Sequence, residues 1–508
     1  MTLSALARRT LRQALGNDSI GQEIADRLDE PGVSASTMID ALDEATSAQS
    51  LSIRQSLGMN GYISVKDYGA VGNGRVIYSL TNSGSTVTGP SGTFSQSDVG
   101  KTAWCTNTSG ASIIAIGTVS SVSGTTQATL SGSSSGNYSG VIMYLGTDDT
   151  TAIQDAWSAA KAAGRILFFP AGNYFTNRQV AGVNGDSSAV FGVLGEGSTR
   201  SRIVMMQNFA STGAVGNGIV INITGSGLNV CSGIGIDGGF KNHSLGTKYV
   251  VELNSSITGN YKEHGSSLWV DVCVENIRGF LVGFYIGTSY SCIIDSFFCY
   301  NGPDYGFTFN GFSGQLKNCW SSNGSTYGMA IVGGSDVSFY GCLIDEHGWY
   351  TLQVQNSTAR FRDSTIYGGI GAYCIELQGT GKIYLDGCRV EPFSLHANSP
   401  AILTASGTTV YARNSTITST GTGKCVTGAG TLIDEGGNTF TGTVDVTTRK
   451  GMTHTSPQLM PTYTVSTLPS ASANANGIII VSNESGGAVL AFSDGTNWRR
   501  VTDRAIVS

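Results

Sequence analysis

The carboxylates at Asp345, Glu346 and Glu391 are the groups whose type and spacing could do chemistry in this chain. They lie in segments that resemble one another, DVSFYGCLIDEHG, TARFRDSTIYGG and KIYLDGCRVEP. Aligned on their first corner, such segments place Asp295, Gly341, Asp363, Asp386 and Asn414 in one column. A column of Asp, Gly and Asn is what a recurring turn requires, so Asp295, Asp363 and Asp386 read as structural. Glu346 and Glu391 leave that column together, with Gly368 between them on the intervening segment. Stacked strands lie about 4.8 Å apart, so two steps span roughly 9.6 Å. Inverting glycosidases hold their two carboxyls about 6.5–9.5 Å apart, one protonating the leaving oxygen and the other activating water. Asp345 takes the place of Glu346 if the register slips by one, because a single slip turns a side chain to the opposite face. Asp304, after Asn301-Gly302-Pro303, is a further acid in a loop that could overhang the same groove.

Aromatic residues gather on this stretch: Tyr300, Trp320, Tyr327, Trp349, Tyr350 and Tyr367. Rings left exposed there could stack on sugar faces, and Trp349, Tyr350, Tyr367 and Tyr327 are assigned that role. Trp320 lies in an alternating apolar run and is expected in the core. His347 could orient a neighbouring acid. The cysteines show no CxxC pair or metal-like spacing, and no metal or cofactor is expected. Seven of the ten, Cys273 to Cys388, fall in the repeats and are expected as buried free thiols.

These groups must be positioned by the repeat itself. Six segments start at 291, 314, 336, 358, 382 and 408, steps of 22 to 26 residues. Each carries an alternating β run, a Gly/Asn/Asp corner and a second short β run. Steps of this length suit one coil of a three-sided parallel β-solenoid, in which each coil pairs only with its neighbours. Less regular coils run back to about Phe191, and the solenoid is expected over 191–448. Its open ends need caps. Seventy glycines, 13% charged residues and 40% apolar residues fit many short strands joined by many turns.

Upstream, YISVKDYGAVGNG (62–74) is followed by TDDTTAIQDAWSAAKAAGRILFFPAGNYF (147–175). This pairing resembles the opening of right-handed parallel β-helix proteins of the pectate-lyase-like superfamily, phage tailspikes among them. Val65, Asp67, Tyr68, Gly69, Ala70, Gly72 and Gly74 match, as do Asp148, Asp149, Thr150, Ala152, Ile153 and Gln154, then Phe169, Pro170, Gly172 and Tyr174. Asn73 replaces the usual Asp, and about 70 residues (75–146) containing FSQSDVGKTAW are inserted as a β-module. Asp148 and Asp149 stand where they could cap a helix over Thr150–Ala163, whose Ile153, Ala156, Trp157 and Ala160 would plug the solenoid. The entry and capping region thus covers 59–190.

Residues 1–58 carry apolar positions at helical spacing, too few for an independent core. The tail, 461–508, ends in AVLAFSDGTNWRRVT, which is similar to a short module of phage tail proteins and reads as a hairpin at Ser493-Asp494-Gly495. The resemblance implies an all-β homotrimer, attached through residues 1–58 to a phage tail, portal or baseplate protein. Its partner would be a bacterial surface polysaccharide, bound and cleaved during adsorption. The chain would be made in the host cytoplasm and act from the virion at the host surface. A binding-only spike and a polysaccharide lyase remain alternatives. A net charge of -6 argues against nucleic acid. No apolar run approaches the roughly 18 residues that span a bilayer, and the first residues lack the apolar core of a secretory signal.

Overall fold

The computed structural model describes residues 62–110, 112–184, 191–207, 209, 218–224, 229–239, 245–254, 267–275, 280–287, 290–300, 305–322, 327–345, 350–368, 373–392, 399–420, 423–451 and 460–508. The helical segment expected before residue 58 lies outside them. Two compact units form, Met1–Gly451 and Met452–Ser508.

The first unit is a right-handed parallel β-helix. Its strands pair in parallel with the strand one coil earlier and one coil later, so three sheets run along the axis. Sheet I contains Ser313–Lys317, Asp336–Tyr340, Thr358–Arg362, Lys382–Asp386 and Thr409–Arg413. Sheet II contains Trp320–Ser322, Leu343–Asp345, Thr365–Gly368 and Arg389–Pro392. Sheet III contains Tyr305–Asn310, Tyr327–Val332, Tyr350–Gln355 and Tyr373–Gln378. The coils begin earlier than Phe191: Ile166–Phe169 and Gly172–Thr176 pair with Phe191–Gly195 and Ser201–Met205.

Alternation decides which side chains enter the lumen. In Asp336–Tyr340, Val337 and Phe339 are buried while Ser338 and Tyr340 face out. Because coils rise by one strand spacing, like residues stack: the Phe339 and Phe361 rings lie 4.2 Å apart and nearly parallel. Of the nine cysteines whose side chains are described, eight are buried, Cys273 is half-buried, and all nine are free.

The corner between sheets I and II is a single left-handed residue on each coil: Ser296, Asn318, Gly341, Asp363, Gly387 and Asn414 all have φ between 50° and 61° or, at Gly387, 66°. This corrects the expected turn column in two coils. Asp295 and Asp386 stand one residue before the turn, as the last residues of their sheet I strands or runs. Aspartate is a good turn former, so its chemistry misplaced the corner; pairing of Arg362 with Asp386 fixes it.

Helix α1, Thr150–Ala163, buries Ile153, Ala156, Trp157 and Ala160 against the first coil and closes the lumen. Asp148 accepts a hydrogen bond from the Thr150 N–H at 2.9 Å, serving the helix start. Asp149 does something else. It makes no cap bond; its carboxylate accepts the N–H groups of Val71 (2.7 Å) and Gly72 (3.1 Å), clamping the YGAVG loop. Gly72 is needed there: φ is +65°, and a Cβ would lie 2.7 Å from the Tyr174 ring.

The insert is a closed six-stranded antiparallel barrel spanning Arg75–Gly146. Its FSQSDVGK motif folds around buried Asp98, which accepts the Ser95 N–H and the Lys101 ammonium, each at 2.9 Å. The barrel docks on the outer face of the early coils through Trp104, which stacks on Tyr144, abuts Phe175 and donates its indole N–H to the Gly239 carbonyl at 3.1 Å.

In the second unit Thr462–Tyr463, Ile478–Val481, Val489–Ser493 and Trp498–Arg500 form one four-stranded sheet. Asp494–Asn497 makes the hairpin turn, closed by Asp494 N–H to the Asn497 carbonyl at 3.1 Å. Trp498, Ile479, Val481 and Ala491 form a small core of its own.

Candidate functional site

The outer face of sheet II carries a ladder in which Tyr300 pairs with Ser322, Ser322 with Asp345, and Tyr367 with Glu391. Leu343 and Ile344 pair with Thr365 and Ile366, which sets Asp345 beside Tyr367. The column therefore reads Tyr300, Ser322, Asp345, Tyr367, Glu391. Asp345 and Glu391 share it two coils apart, and Tyr367 lies between them. The expected register, with Glu346 opposite Glu391 across Gly368, is off by one, because Gly368 pairs with Pro392. Glu346 itself, with His347, Trp349 and Asp304, lies outside the described residues.

Asp345, Tyr367 and Glu391 face outward and are half-buried. Asp345 accepts the indole N–H of Trp320 at 3.0 Å. Trp320 is not a core residue as its apolar surroundings suggest. It stands on the same outer face, its ring parallel to that of Tyr300 at 6.0 Å and edge-on to Phe298. Glu391 accepts from Arg389 Nε at 2.9 Å on its own strand. Toward the barrel, the surface continues through Tyr300 to the Arg202–Asp237 pair at 2.8 Å, with Tyr78 of the barrel alongside. Burial pushes the Tyr300 phenol up.

Around the next corner, sheet III begins with a ladder of four tyrosines. Tyr305, Tyr327, Tyr350 and Tyr373 stack in sequence at 5.1, 5.0 and 5.8 Å. Burial, then the Glu376 carboxylate and the neighbouring phenols, push Tyr327 up. Sheets II and III are joined from inside the coil: Thr351 Oγ1 donates to the Tyr367 carbonyl at 3.4 Å, and Cys374 Sγ to the Glu391 carbonyl at 3.0 Å. Of the tyrosines expected to bind, Tyr327 and Tyr350 thus form one ladder while Tyr367 stands between the acids. Tyr305 and Tyr373 were missed. Their signal was the spacing, Tyr at 305, 327, 350 and 373, which is the coil period.

The arrangement sets a stacked tyrosine ladder beside two carboxylates whose strands lie two spacings apart, roughly 9.6 Å. That is room for a water between one acid and a glycosidic carbon, with the other acid at the leaving oxygen.

A family model described as a right-handed beta helix region matches residues 264–417. No curated protein matches the chain in sequence. Among solved structures, the gp42 tailspike of Acinetobacter phage vb_AbaP_AS12 is similar over 71% of this chain and 76% of its own, at 10% identity and TM-score 0.42. The A-module of the Azotobacter vinelandii mannuronan C-5 epimerase AlgE6 is similar over 61% and 96%, at 14% identity and TM-score 0.35. Tailspike protein 2 of the Escherichia coli O157:H7 bacteriophage CAB120 is similar over 92% and 64%, at 13% identity and TM-score 0.34.

Proposed function

We propose that the chain is a phage tailspike that binds a bacterial surface polysaccharide and hydrolyses it. The observation that carries the reading is the outward column in which Asp345 and Glu391 flank Tyr367. An aromatic between two carboxylates gives a sugar ring a floor, and the acids stand where a general acid and a base acting through water are needed. The motif with Asp148 and Asp149, resembling the openings of tailspikes, supports the virion setting. In this reading the spike is a homotrimer, residues 1–58 join it to a tail, portal or baseplate protein, and it acts at the host surface.

The experiment is incubation of the full chain with host capsule or lipopolysaccharide. Hydrolysis releases oligosaccharides with new reducing ends and without ultraviolet-absorbing unsaturated sugars. Asp345→Asn and Glu391→Gln keep shape and remove charge, and each is expected to lower turnover by at least a hundredfold with binding retained. Full turnover in both variants removes this pair. Unsaturated products would assign a lyase, and binding without cleavage a receptor-binding spike.

A further inference from the structure

The four-stranded sheet of the second unit is apolar on both faces, and its own chain covers only one. Alternation puts Ile479, Val481, Ala491 and Trp498 in the small core, which Ala471 and Val507 complete. The opposite face follows from the register. Ile478 pairs with Phe492, Phe492 with Arg499, and Arg499 with Ile506, one row across the sheet. In the next row Ile480 pairs with Leu490, whose carbonyl accepts the Val501 N–H at 2.9 Å. Six large apolar side chains and one guanidinium thus share the two rows. Ile478, Leu490, Val501 and Ile506 are 41–50% exposed. They are four of the nine large apolar side chains that the described residues expose, so apolar surface concentrates on the smaller unit.

We propose that, within the homotrimer on which this rests, this face packs against the same face of the other copies of the chain.

Burial is what the face is built for. An antiparallel sheet in water commonly packs one face and solvates the other. Here the second face is apolar as well, and a contiguous apolar patch marks a contact surface. The core of the unit holds six buried side chains, and covering the outer six would double it.

Charge favours a like copy as the partner. Arg499, the one charged group in the two rows, is already matched: it pairs with Asp494 and donates Nη1 to the Arg504 carbonyl at 3.0 Å. The Arg499 contact, then the Asn497 and Thr496 N–H groups, hold the Asp494 carboxyl down at about 2, so the pair stays closed at neutral pH. The face is therefore neutral, and two copies of it meet without like charges opposed. A strongly charged partner finds no counter-charge there.

Size points the same way. A stable interface between free proteins buries about 800 Å² on each side. Two rows on so small a sheet offer less, too little to capture a diffusing partner. Copies held in one assembly meet at a high effective concentration, and a small apolar face then suffices.

The test uses the full chain carrying Leu490→Cys, treated with a short bismaleimide and mapped by peptide mass spectrometry. A peptide linked from position 490 to position 490 can only join two copies. It is expected as the main product at that position, with a yield unchanged on tenfold dilution; the parent chain reports the background from native thiols. Ile506→Asp and Val501→Asp, each added at an exposed position, set like charges on the facing copies. Either should lower the linked yield at least fivefold, while slow hydrogen exchange in Ile478–Val481 shows that the sheet still folds. Light scattering on the same samples separates the two readings. A monomeric mass overturns the homotrimer and this interface together. An assembled mass without the 490–490 peptide overturns the interface alone, and so does a yield that falls on dilution or survives both Asp variants.

Discussion

Trp320 donates its indole N–H to the carboxylate of Asp345 from one coil to the next, at 3.0 Å. The bond fixes a carboxylate that otherwise has several rotamers, and the Tyr300 ring behind the indole holds the donor in plane. Trp320 is therefore a positioning residue for the proposed reaction.

Trp320→Phe keeps the ring and removes the donor. Turnover of host polysaccharide is expected to fall at least about tenfold, in line with the loss of one hydrogen bond to a charged group worth about 1.5–3 kcal/mol. KM should stay within a factor of two while kcat falls, a split that lost packing of the binding surface would not give. An unchanged kcat would show that the bond does not act on the reaction.

The corrected corner can be tested by stability. Gly387→Ala puts a Cβ in a left-handed conformation 2.5 Å from Asp363 Oδ1, and should cost about 1–2 kcal/mol or more. Asp386→Ala removes only exposed ion pairs and should cost less than about 1 kcal/mol. Urea unfolding of both variants checks the order, and a reversed order would return the turn to Asp386.

This corner also shows how far the sequence could be read. The period, the three-sided coil and α1 follow from apolar spacing, which is set by burial and survives loop variation. The register at single-residue resolution does not, because Asp and Gly both serve turns and coils differ by several residues in length. That slip moved the acid opposite Glu391 from Asp345 to Glu346. Trp320 was misjudged for a related reason: an aromatic in a short apolar run suits either face of a strand, and only pairing with Leu343 settles which.

Asp149 gives the fold a pH dependence. The side chain is 2% exposed, and burial outweighs the Val71 and Gly72 N–H groups, so its carboxyl is pushed up to about 6. The unfolded value is about 3.9. The folded state thus holds the proton more tightly, and this stabilisation is complete below about pH 4 and lost as pH rises through about 6. Two pH units correspond to about 3 kcal/mol as an upper scale. Melting temperature should show this fall between pH 4 and 6.5 in the native chain, and a flatter profile in Asp149→Asn. Parallel profiles would assign the dependence to other groups.

Trp104 joins the barrel to the coils and is fully buried. Trp104→Ala should cost about 3–5 kcal/mol at that contact. Limited proteolysis read by mass spectrometry is expected to cut within 75–146 much faster in the variant, while cleavage in 327–450 stays unchanged. Equal rates in the barrel would show that other contacts hold it.

Coil-on-coil pairing has a consequence for how the chain finds its structure. From Ser313 to Arg413 a coil is bonded to residues only some 22 to 27 positions away, as Tyr340 to Arg362 and Asp386 to Arg413 show. Each new coil then closes a loop of constant, modest length however long the solenoid grows. Contacts at the entry break that rule, among them Asp149 to Gly72 across 77 residues and Trp104 to Gly239 across 135. Closing the longer one costs about 1.6 kcal/mol more than adding a coil. Both lie at the entry, so the entropic barrier to assembly concentrates there, and the coils beyond it can propagate by short-range closure.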